Sequence, residues 1–226
     1  MKIAIIGTGM VGQALAAKFS ELGHQVTVGT RNVAATLAKS EADGMGNPPF
    51  SAWIKGHTSV VLKTFAEAAS QAQLVVNATS GHGSLEALKL AGAENLAGKI
   101  LMDIANPLDF SQGMPPFLFV ANQDSLGEQI QKAFPEAKVV KTLNIVTAAL
   151  MVNPGMAAGG DHSMFVSGND AQAKATVISI LKDFGWKDII DLGDITNARA
   201  AEMLLPIWIR TWGAIGTPFF GFKIAR

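Results

Sequence analysis

One short stretch near the N-terminus has the residue types and spacing needed to bind a nucleotide. Residues 7–12 read Gly-Thr-Gly-Met-Val-Gly and directly follow the apolar, β-branched run at residues 2–6. Apolar residues at helical spacing come next, so the pattern predicts a strand, a glycine turn and a helix. In that context the glycine spacing is typical of a dinucleotide-binding turn, with phosphates at the N-terminus of the helix. The residues of this predicted turn are Gly7, Thr8, Gly9, Met10, Val11 and Gly12.

The turn after the second predicted strand, at residues 25–28, indicates which nucleotide is bound. An NAD site usually has Asp or Glu there to accept a hydrogen bond from the ribose 2′-hydroxyl. This turn contains no acidic residue, whereas Thr30 offers a hydroxyl and Arg31 a planar set of donors that matches a 2′-phosphate. We therefore predict NADP(H) as the cofactor, bound by Thr30, Arg31 and the adjacent Asn32.

Short apolar strands alternate with predicted helices over residues 1–148. This alternation is typical of an α/β protein with a Rossmann-type, doubly wound parallel sheet. One of the predicted helices begins at Ser84, after the fourth strand. Because parallel strands bring their carboxyl ends to one edge, the polar turns that follow them are predicted to meet in one crevice. These predicted site residues are Thr79, Ser80, His82, Asn106 and Asn144.

Residues 149–226 have a different pattern and are predicted to form a small α+β C-terminal domain. A glycine-rich connector precedes two predicted strands and two predicted helices, the second of them at residues 194–212. Pro206 should kink that helix, because proline has no amide to donate to Glu202. A unit of this size has little core of its own, so it should pack on the first domain or on a partner subunit.

The glycine- and proline-rich segment at residues 44–56 is predicted to be a loop. It contains Phe50 and Trp53. Two aromatic side chains in such a loop fit either a flap over a ligand or a loop folded back on the body of the protein. The sequence leaves both interpretations open.

Composition excludes several classes of function. The 226 residues contain 18 Lys and Arg against 18 Asp and Glu, so no basic excess is present to bind nucleic acid. Cysteine is absent, which excludes disulfides and thiol catalysis. No spacing of His, Asp and Glu indicates a metal site. Only 16% of residues are charged, which leaves more apolar surface than a small monomer normally exposes and favours a subunit interface.

Two features bear on location. The chain starts directly with a predicted core strand, which leaves no room for a signal peptide, so we expect a cytoplasmic protein. Residues 203–222 carry one charge, Arg210, but its central position and two prolines argue against a membrane span. We interpret this segment as a buried or interface helix followed by an apolar tail.

These motifs together resemble the NADP oxidoreductase family typified by the coenzyme F420 (deazaflavin)-dependent NADP reductases. The same module resembles the cytosolic N-terminal domain of the STEAP metalloreductases. The likeness covers nearly the whole chain, and its most specific parts are the two turns at residues 7–12 and 29–31 and a closing region. That region reads Asp-Leu-Gly-Asp at 191–194, Met-Leu-Leu-Pro at 203–206 and Gly-Phe-Lys-Ile at 221–224.

The resemblance implies an NADP-binding domain, a small C-terminal domain, a deazaflavin pocket between them, and a homodimer. By position, residues 8–11 would hold the pyrophosphate and residues 30–31 the 2′-phosphate, while residues 79–80 would lie beside the ribose and nicotinamide. The turn from Asn144 to Ala148 would line the hydride-transfer pocket, with Asn144 as the catalytic candidate. Two departures leave the second substrate open: those reductases carry a histidine in place of Asn144, and the loop at 44–56 is longer here.

The predicted reaction is hydride transfer between the nicotinamide and a flavin or deazaflavin-like acceptor. Such a transfer depends mainly on holding two rings together and needs no strong acid from the protein. The chain contains no tyrosine, which excludes the Tyr–Lys proton donor of short-chain dehydrogenases. Two alternatives stay open: an imine or 3-hydroxyacid-type NADPH reductase, and a non-catalytic NADP-binding sensor.

Overall fold

The sheet is the frame on which the predicted site is built. A computed structural model describes residues 1–42 and 46–226. A short antiparallel hairpin, β6 (Leu108–Asp109) with β7 (Phe117–Leu118), stands apart from the main sheet. The strands of the main sheet are β1 (Lys2–Ile6), β2 (Gln25–Thr30), β3 (Val61–Thr64), β4 (Leu74–Asn77), β5 (Ile100–Asp103), β8 (Lys138–Thr142), β9 (Ser163–Gly168) and β10 (Asp188–Asp191).

The order of these strands is β3-β2-β1-β4-β5-β8-β9-β10. The first six are mutually parallel, in the 3-2-1-4-5-6 order of a Rossmann fold, and the chain reverses its winding direction between β1 and β4. The predicted fold class is confirmed. The sequence pattern missed that β9 pairs antiparallel with β8, so the two C-terminal strands extend the same sheet. The division into domains at residue 148 stays a prediction.

Helices cover both faces of the sheet. They are α1 (Met10–Glu21), α2 (Val33–Ala38), α3 (Phe50–Trp53), α4 (Phe65–Gln71), α5 (Gly81–Ala91), α6 (Ala93–Leu96), α7 (Leu126–Ala133), α8 (Ala148–Val152), α9 (Ala171–Asp183), α10 (Ala198–Met203) and α11 (Leu205–Ile215). Single turns of 3-10 helix lie at Ile54–Gly56, Pro154–Met156, Ala158–Gly160 and Ile195–Asn197.

The central strand β1 shows why its run of apolar residues is needed. Ile3 and Ile5 belong to the core on one face of the sheet, where Phe19 of α1 packs, and Ala4 and Ile6 belong to the core on the other. Because helices cover both faces of the sheet, the residues that point to either face must be apolar. The strand is thereby held at the centre of the sheet, and the glycine turn that follows Ile6 lies at the carboxyl edge of the sheet.

The structure tests the start of one predicted helix and the kink of another. The helix predicted from Ser84 starts three residues earlier, at Gly81, because a glycine there allows its first turn to pack against the backbone of Asn106. His82 therefore lies on a helix and not in the preceding loop. The long C-terminal helix is interrupted at Leu204, and Pro206 sits in the first turn of α11, where no amide is required. The predicted kink is confirmed.

The predicted loop at 44–56 lies partly outside the described residues, which resume at residue 46. Its second half contains the short helix α3, with Phe50 buried and its ring centroid 5.2 Å from that of Trp53. Trp53 in turn stacks on His57 at 3.9 Å. These aromatic residues are packed on the body of the protein. Over the described parts of the chain, no helix combines the length and apolar character that a membrane crossing requires.

Candidate functional site

The first cleft lies at the carboxyl ends of β1 and β2. It is a cavity of about 410 Å³ between the turn after β1, the turn after β2 and residues 47–50. Because β1 and β2 are parallel neighbours, these two turns meet although they are distant in sequence. The predicted cofactor residues that line this cavity are Thr8, Gly9, Met10, Thr30, Arg31 and Asn32.

The three glycines of the first turn have different reasons for being glycine. Gly7 has a φ of +126°, and a Cβ there would lie 2.5 Å from the carbonyl oxygen of Ala78. A Cβ on Gly12 would overlap the carbonyl oxygen of Gly7. Gly9 has an ordinary extended backbone, and a Cβ there would meet nothing within 4 Å. Packing explains Gly7 and Gly12, whereas Gly9 leaves an open cradle at the helix N-terminus that fits a pyrophosphate.

The turn after β2 leaves the side chain of Arg31 available to a ligand. Arg31 is exposed and makes no ion pair or hydrogen bond with any residue that the structure describes. The hydroxyl of Thr36 donates to the carbonyl oxygen of Asn32 at 2.9 Å, so the hydroxyl of Thr30, 2.7 Å away, donates to Thr36. Asn32 Oδ1 accepts from the amide of Ala35 at 2.9 Å and caps α2. The side chains of Thr30 and Asn32 therefore shape the turn that carries Arg31.

A second cation in the first cleft escaped the sequence analysis. Lys39 directly follows α2 and lines the same cavity as Arg31. The available signal was Asn32, a residue type typical of a helix N-cap, which indicates a helix directly after the turn that carries Arg31. Sequence alone did not place its end.

A second cleft of about 240 Å³ adjoins the first at the start of α1, where Met10 lines one cavity and Val11 the other. Apolar side chains, including Ile104, Leu108 and Met151, contribute much of its lining. A dinucleotide lying across the N-terminus of α1 would reach both clefts. The predicted residues that line the second cleft are Val11, Thr79, Ser80, His82 and Asn106.

His82 lies beside an anion and an aromatic ring. Its side chain is 61% exposed, its Nε2 is 3.9 Å from Asp109 Oδ1, and its ring centroid is 4.4 Å from that of Phe119. Hydrogen bonds from Ser111, together with the nearby His82, hold the pKa of Asp109 below its usual value. Asp109 is therefore ionised at neutral pH and can orient the imidazole beside the second cleft.

Two predicted residues, Asn144 and Ala148, are buried and line neither cleft. Asn144 Nδ2 donates to the carbonyl oxygen of Ala201 at 3.1 Å, and the carbonyl oxygen of Asn144 accepts from Asn106 Nδ2 at 3.1 Å. The side chain of Asn144 thus joins the strand end to α10. Its catalytic role stays a prediction, as does the cofactor contact of Ala148, whose helix supplies Met151 to the second cleft.

A buried ionic cluster lies under the carboxyl ends of the central strands, and the sequence analysis missed it. Lys141 Nζ is 2.9 Å from Asp103 Oδ2 and 2.9 Å from Glu202 Oε1, and it also donates to the carbonyl oxygen of Ala105. Lys141 and Asp103 are fully buried, and Glu202 is nearly so. Burial acts to lower the pKa of Lys141, but the two carboxylates outweigh it and raise the pKa above its ordinary value. Lys141 is charged at neutral pH.

The cluster ties the C-terminal part of the chain to the sheet. Glu202, in α10, accepts from the amides of Leu126 and Gly127 at the start of α7, at 2.8 and 3.0 Å. A signal was present in the sequence, because Asp103 and Lys141 each directly follow apolar residues of a strand, at the end of β5 and within β8. A charged residue at such a position is expected to find a buried partner.

The comparisons with known proteins agree with this arrangement. The family model described as NADP oxidoreductase, coenzyme F420-dependent, matches residues 2–107. A crystal structure at 1.70 Å of a protein from Arthrobacter sp. FB24, described as an F420-dependent NADP reductase, is 65% identical over 100% of both chains, with a TM-score of 0.96.

Two curated relatives are more distant. The F420-dependent NADP reductase of Methanocaldococcus jannaschii is 29% identical over 216 residues, 92% of this chain and 91% of that protein. The metalloreductase STEAP3 of Rattus norvegicus is 28% identical over 236 aligned residues, which take in 100% of this chain but only 42% of the length of STEAP3.

A Rossmann-type sheet with open space at Gly9 beside the start of α1, together with relatives named as NADP reductases, defines an NADP-dependent oxidoreductase. The chain belongs to the family of coenzyme F420-dependent NADP oxidoreductases. The resemblance inferred from the motifs is confirmed.

Proposed function

We propose that this protein transfers a hydride between NADP(H) and a flat, flavin-like acceptor, either a deazaflavin or a flavin such as FMN. The observation that carries the proposal is the pair of adjoining clefts at the start of α1. The first has the open cradle at Gly9 and the cationic side chains of Arg31 and Lys39, and the second has largely apolar walls. NADP(H) supplies the hydride chemistry when it is bound, and the protein supplies the orientation of the two reacting rings.

In this proposal different residues bind the two ends of the dinucleotide. The turn at residues 7–12 would hold the pyrophosphate, and Arg31 with Lys39 would bind the 2′-phosphate. At the other end, Val11 and Met151 would pack on the nicotinamide. The polar residues near that ring would be Thr79, Ser80, His82 and Asn106, with Asn144 and Ala148 supporting them from the interior.

A titration with nucleotide and acceptor tests this function. NADPH and NADH are added to the purified protein, and the absorbance of the nicotinamide is followed after FMN or the deazaflavin coenzyme is supplied. We expect selective binding of NADPH and its oxidation by one of these acceptors. Binding without oxidation by either would favour the sensor or an imine or 3-hydroxyacid-type reductase. Failure to bind NADPH would contradict the proposed function altogether.

Arg31→Ala should weaken NADPH binding while leaving NADH binding nearly unchanged. Hydrogen bonds to a charged group contribute about 1.5–3 kcal/mol, so the dissociation constant for NADPH should rise roughly 10- to 100-fold. Both constants are measured by fluorescence titration of the reduced nucleotides. Lys89→Ala, at the end of α5, removes an exposed cation away from both clefts and serves as the control. Equal losses for the two nucleotides in Arg31→Ala would rule out a 2′-phosphate contact.

We also propose a cytoplasmic homodimer whose contacts come from residues 149–226. Trp208 is stacked on Phe220 with ring centroids 5.4 Å apart, so the tail folds back on α11. Large apolar side chains remain exposed nearby: Ile207 at 51%, Ile215 at 53% and Phe219 at 44%. Burial of such a group against a second copy would remove it from water. Sedimentation equilibrium measures the mass in solution, and a monomer at micromolar concentration would contradict this part of the proposal.

A further inference from the structure

A row of hydrogen bonds runs from the buried ionic cluster to the second cleft. Lys141 Nζ donates to Asp103 Oδ2 at 2.9 Å, and Asp103 Oδ1 accepts from Asn77 Nδ2 at 2.8 Å. Asn77 Oδ1 is then 2.7 Å from the hydroxyl oxygen of Thr79, which lines the second cleft. Lys141, Asn77 and Asp103 are fully buried, so water cannot replace the bonds among these three residues.

The chemistry of each group fixes the direction of every bond in this row. A charged lysine can only donate, and an ionised carboxylate can only accept. The group of Asn77 that faces Asp103 must therefore be its NH2, which leaves the amide oxygen of Asn77 toward Thr79. That oxygen can only accept, so Thr79 must give it the single proton of its hydroxyl.

Thr79 consequently faces the second cleft with lone pairs and no proton. Its oxygen has two acceptor positions. Ser84 Oγ lies 2.8 Å away and accepts from Asn77 Nδ2 at 3.2 Å, and its single proton goes either to Thr79 or to the carbonyl oxygen of Ser80, 3.2 Å away. Ser84 therefore fills at most one acceptor position of Thr79. The other acceptor position remains for a ligand. A phosphate oxygen cannot fill it, because a phosphate at neutral pH is itself an acceptor.

We propose that Lys141, Asp103 and Asn77 are positioning residues that hold Thr79 as a hydrogen-bond acceptor for the nicotinamide half of the cofactor. The group that Thr79 takes is a donor: the carboxamide N–H or a hydroxyl of the adjoining ribose. This inference rests on the proposed function, since it requires NADP(H) in the clefts. It assigns a role to three buried residues that line neither cleft.

The first experiment removes the acceptor and compares two ligands. Thr79→Val keeps the shape of the side chain without its oxygen, and Thr79→Ser keeps the hydroxyl. Each variant is titrated with NADPH and with its reduced 3-acetylpyridine analogue, in which a methyl ketone without N–H replaces the carboxamide. In Thr79→Val the dissociation constant for NADPH should rise roughly 3- to 10-fold, the usual effect of one neutral hydrogen bond, and Thr79→Ser should recover most of it.

The analogue distinguishes the two sources of the donor. A loss in Thr79→Val for NADPH alone identifies the carboxamide, and a loss for both ligands identifies the ribose hydroxyl. Unchanged affinity for both ligands in folded Thr79→Val overturns the inference. If the wild-type protein binds neither ligand, the proposed function fails and the inference fails with it. If the wild-type protein binds NADPH and Thr79→Val binds it equally well, only the inference fails.

The second experiment tests the positioning residues through Asp103→Asn. In this variant Lys141 would donate to the oxygen of the new side-chain amide at position 103, so the NH2 of that amide would face Asn77. The side-chain amide of Asn77 must then rotate by half a turn to offer its oxygen to this NH2. Its own NH2 would consequently donate to Thr79. Thr79 would become a donor toward the cleft. Asp103, Glu202 and Lys141 carry a net charge of −1, so the replacement leaves one cation with one anion and should permit folding.

The readout is the coupling between the two sites. Asp103→Asn should weaken NADPH binding in wild-type protein by a similar several-fold factor, but should add no further loss in the Thr79→Val background. Asp188→Asn is the matched control. Asp188 lies in β10, at the far end of the sheet, and its carboxylate accepts from the hydroxyl of Ser163 at 2.6 Å. Replacement of this carboxylate should leave NADPH affinity unchanged. Fully additive losses, or no loss in Asp103→Asn, would overturn the positioning role. If Asp103→Asn does not fold, the comparison of Thr79→Val with Thr79→Ser decides the inference.

Discussion

Lys141→Met should destabilise the protein far more than the loss of an exposed lysine from the same strand. The side chain keeps its length, but Asp103 and Glu202 lose their cation in a fully buried site. Removal of one partner from a buried ion pair typically costs about 3–5 kcal/mol, because the remaining charge is left unpaired in a low dielectric. The free energy of unfolding, measured with urea at pH 7.5, should fall by about this amount.

The same strand supplies the control. Lys138 lies three residues earlier in β8, and its ammonium is 3.1 Å from Asp170, but this side chain is 41% exposed. An ion pair of that kind contributes about 0–1 kcal/mol, so Lys138→Met should change stability little. If the two variants lose the same amount of unfolding free energy, the buried cluster does not have the energetic role that its geometry implies.

Local pattern was sufficient to predict the strand, glycine turn and helix at the start of the fold. The glycine spacing at residues 7–12, the apolar run before it and the helix after it are all adjacent in sequence, and each has a direct structural meaning. The alternation of strands and helices then fixed the parallel sheet. A parallel sheet in turn predicts that Thr8, Arg31 and their neighbours meet in one cleft, because the carboxyl ends of adjacent parallel strands lie at the same edge.

The features that the sequence analysis missed depend on contacts between distant residues. The pairing of β9 with β8 joins strands whose order along the chain does not determine their neighbours. Glu202 reaches Lys141 only because α10 packs across the sheet, and the hydroxyl of Thr30 is engaged by Thr36 through the particular turn that α2 makes. The sequence pattern predicted that these polar side chains lie near the carboxyl edge of the sheet. It did not predict which of their protons and lone pairs remain for a ligand.

Gly12→Ala and Gly9→Ala should separate the structural need for glycine from the need imposed by a ligand. At Gly12 the new methyl group would overlap the carbonyl oxygen of Gly7, so α1 must move away from β1. Forced overpacking of this kind costs about 1–3 kcal/mol and exceeds the gain of up to about 1 kcal/mol in helix propensity. At Gly9 the methyl group meets nothing in the protein, and the backbone conformation suits alanine. Gly9→Ala should therefore unfold at the same urea concentration as the wild type.

The nucleotide affinities should follow from the position of each methyl group. In Gly9→Ala it projects into the first cleft, where a pyrophosphate would approach the backbone, and a clash of about 1.4 kcal/mol or more weakens NADPH binding at least roughly tenfold. NADH should weaken equally, because the two nucleotides share the pyrophosphate, which distinguishes this variant from Arg31→Ala. Gly213→Ala, at another open glycine position in α11, should leave both affinities unchanged. Full NADPH affinity in a folded Gly9→Ala protein would mean that the phosphates do not lie against this turn, and that the cradle at the start of α1 has another use.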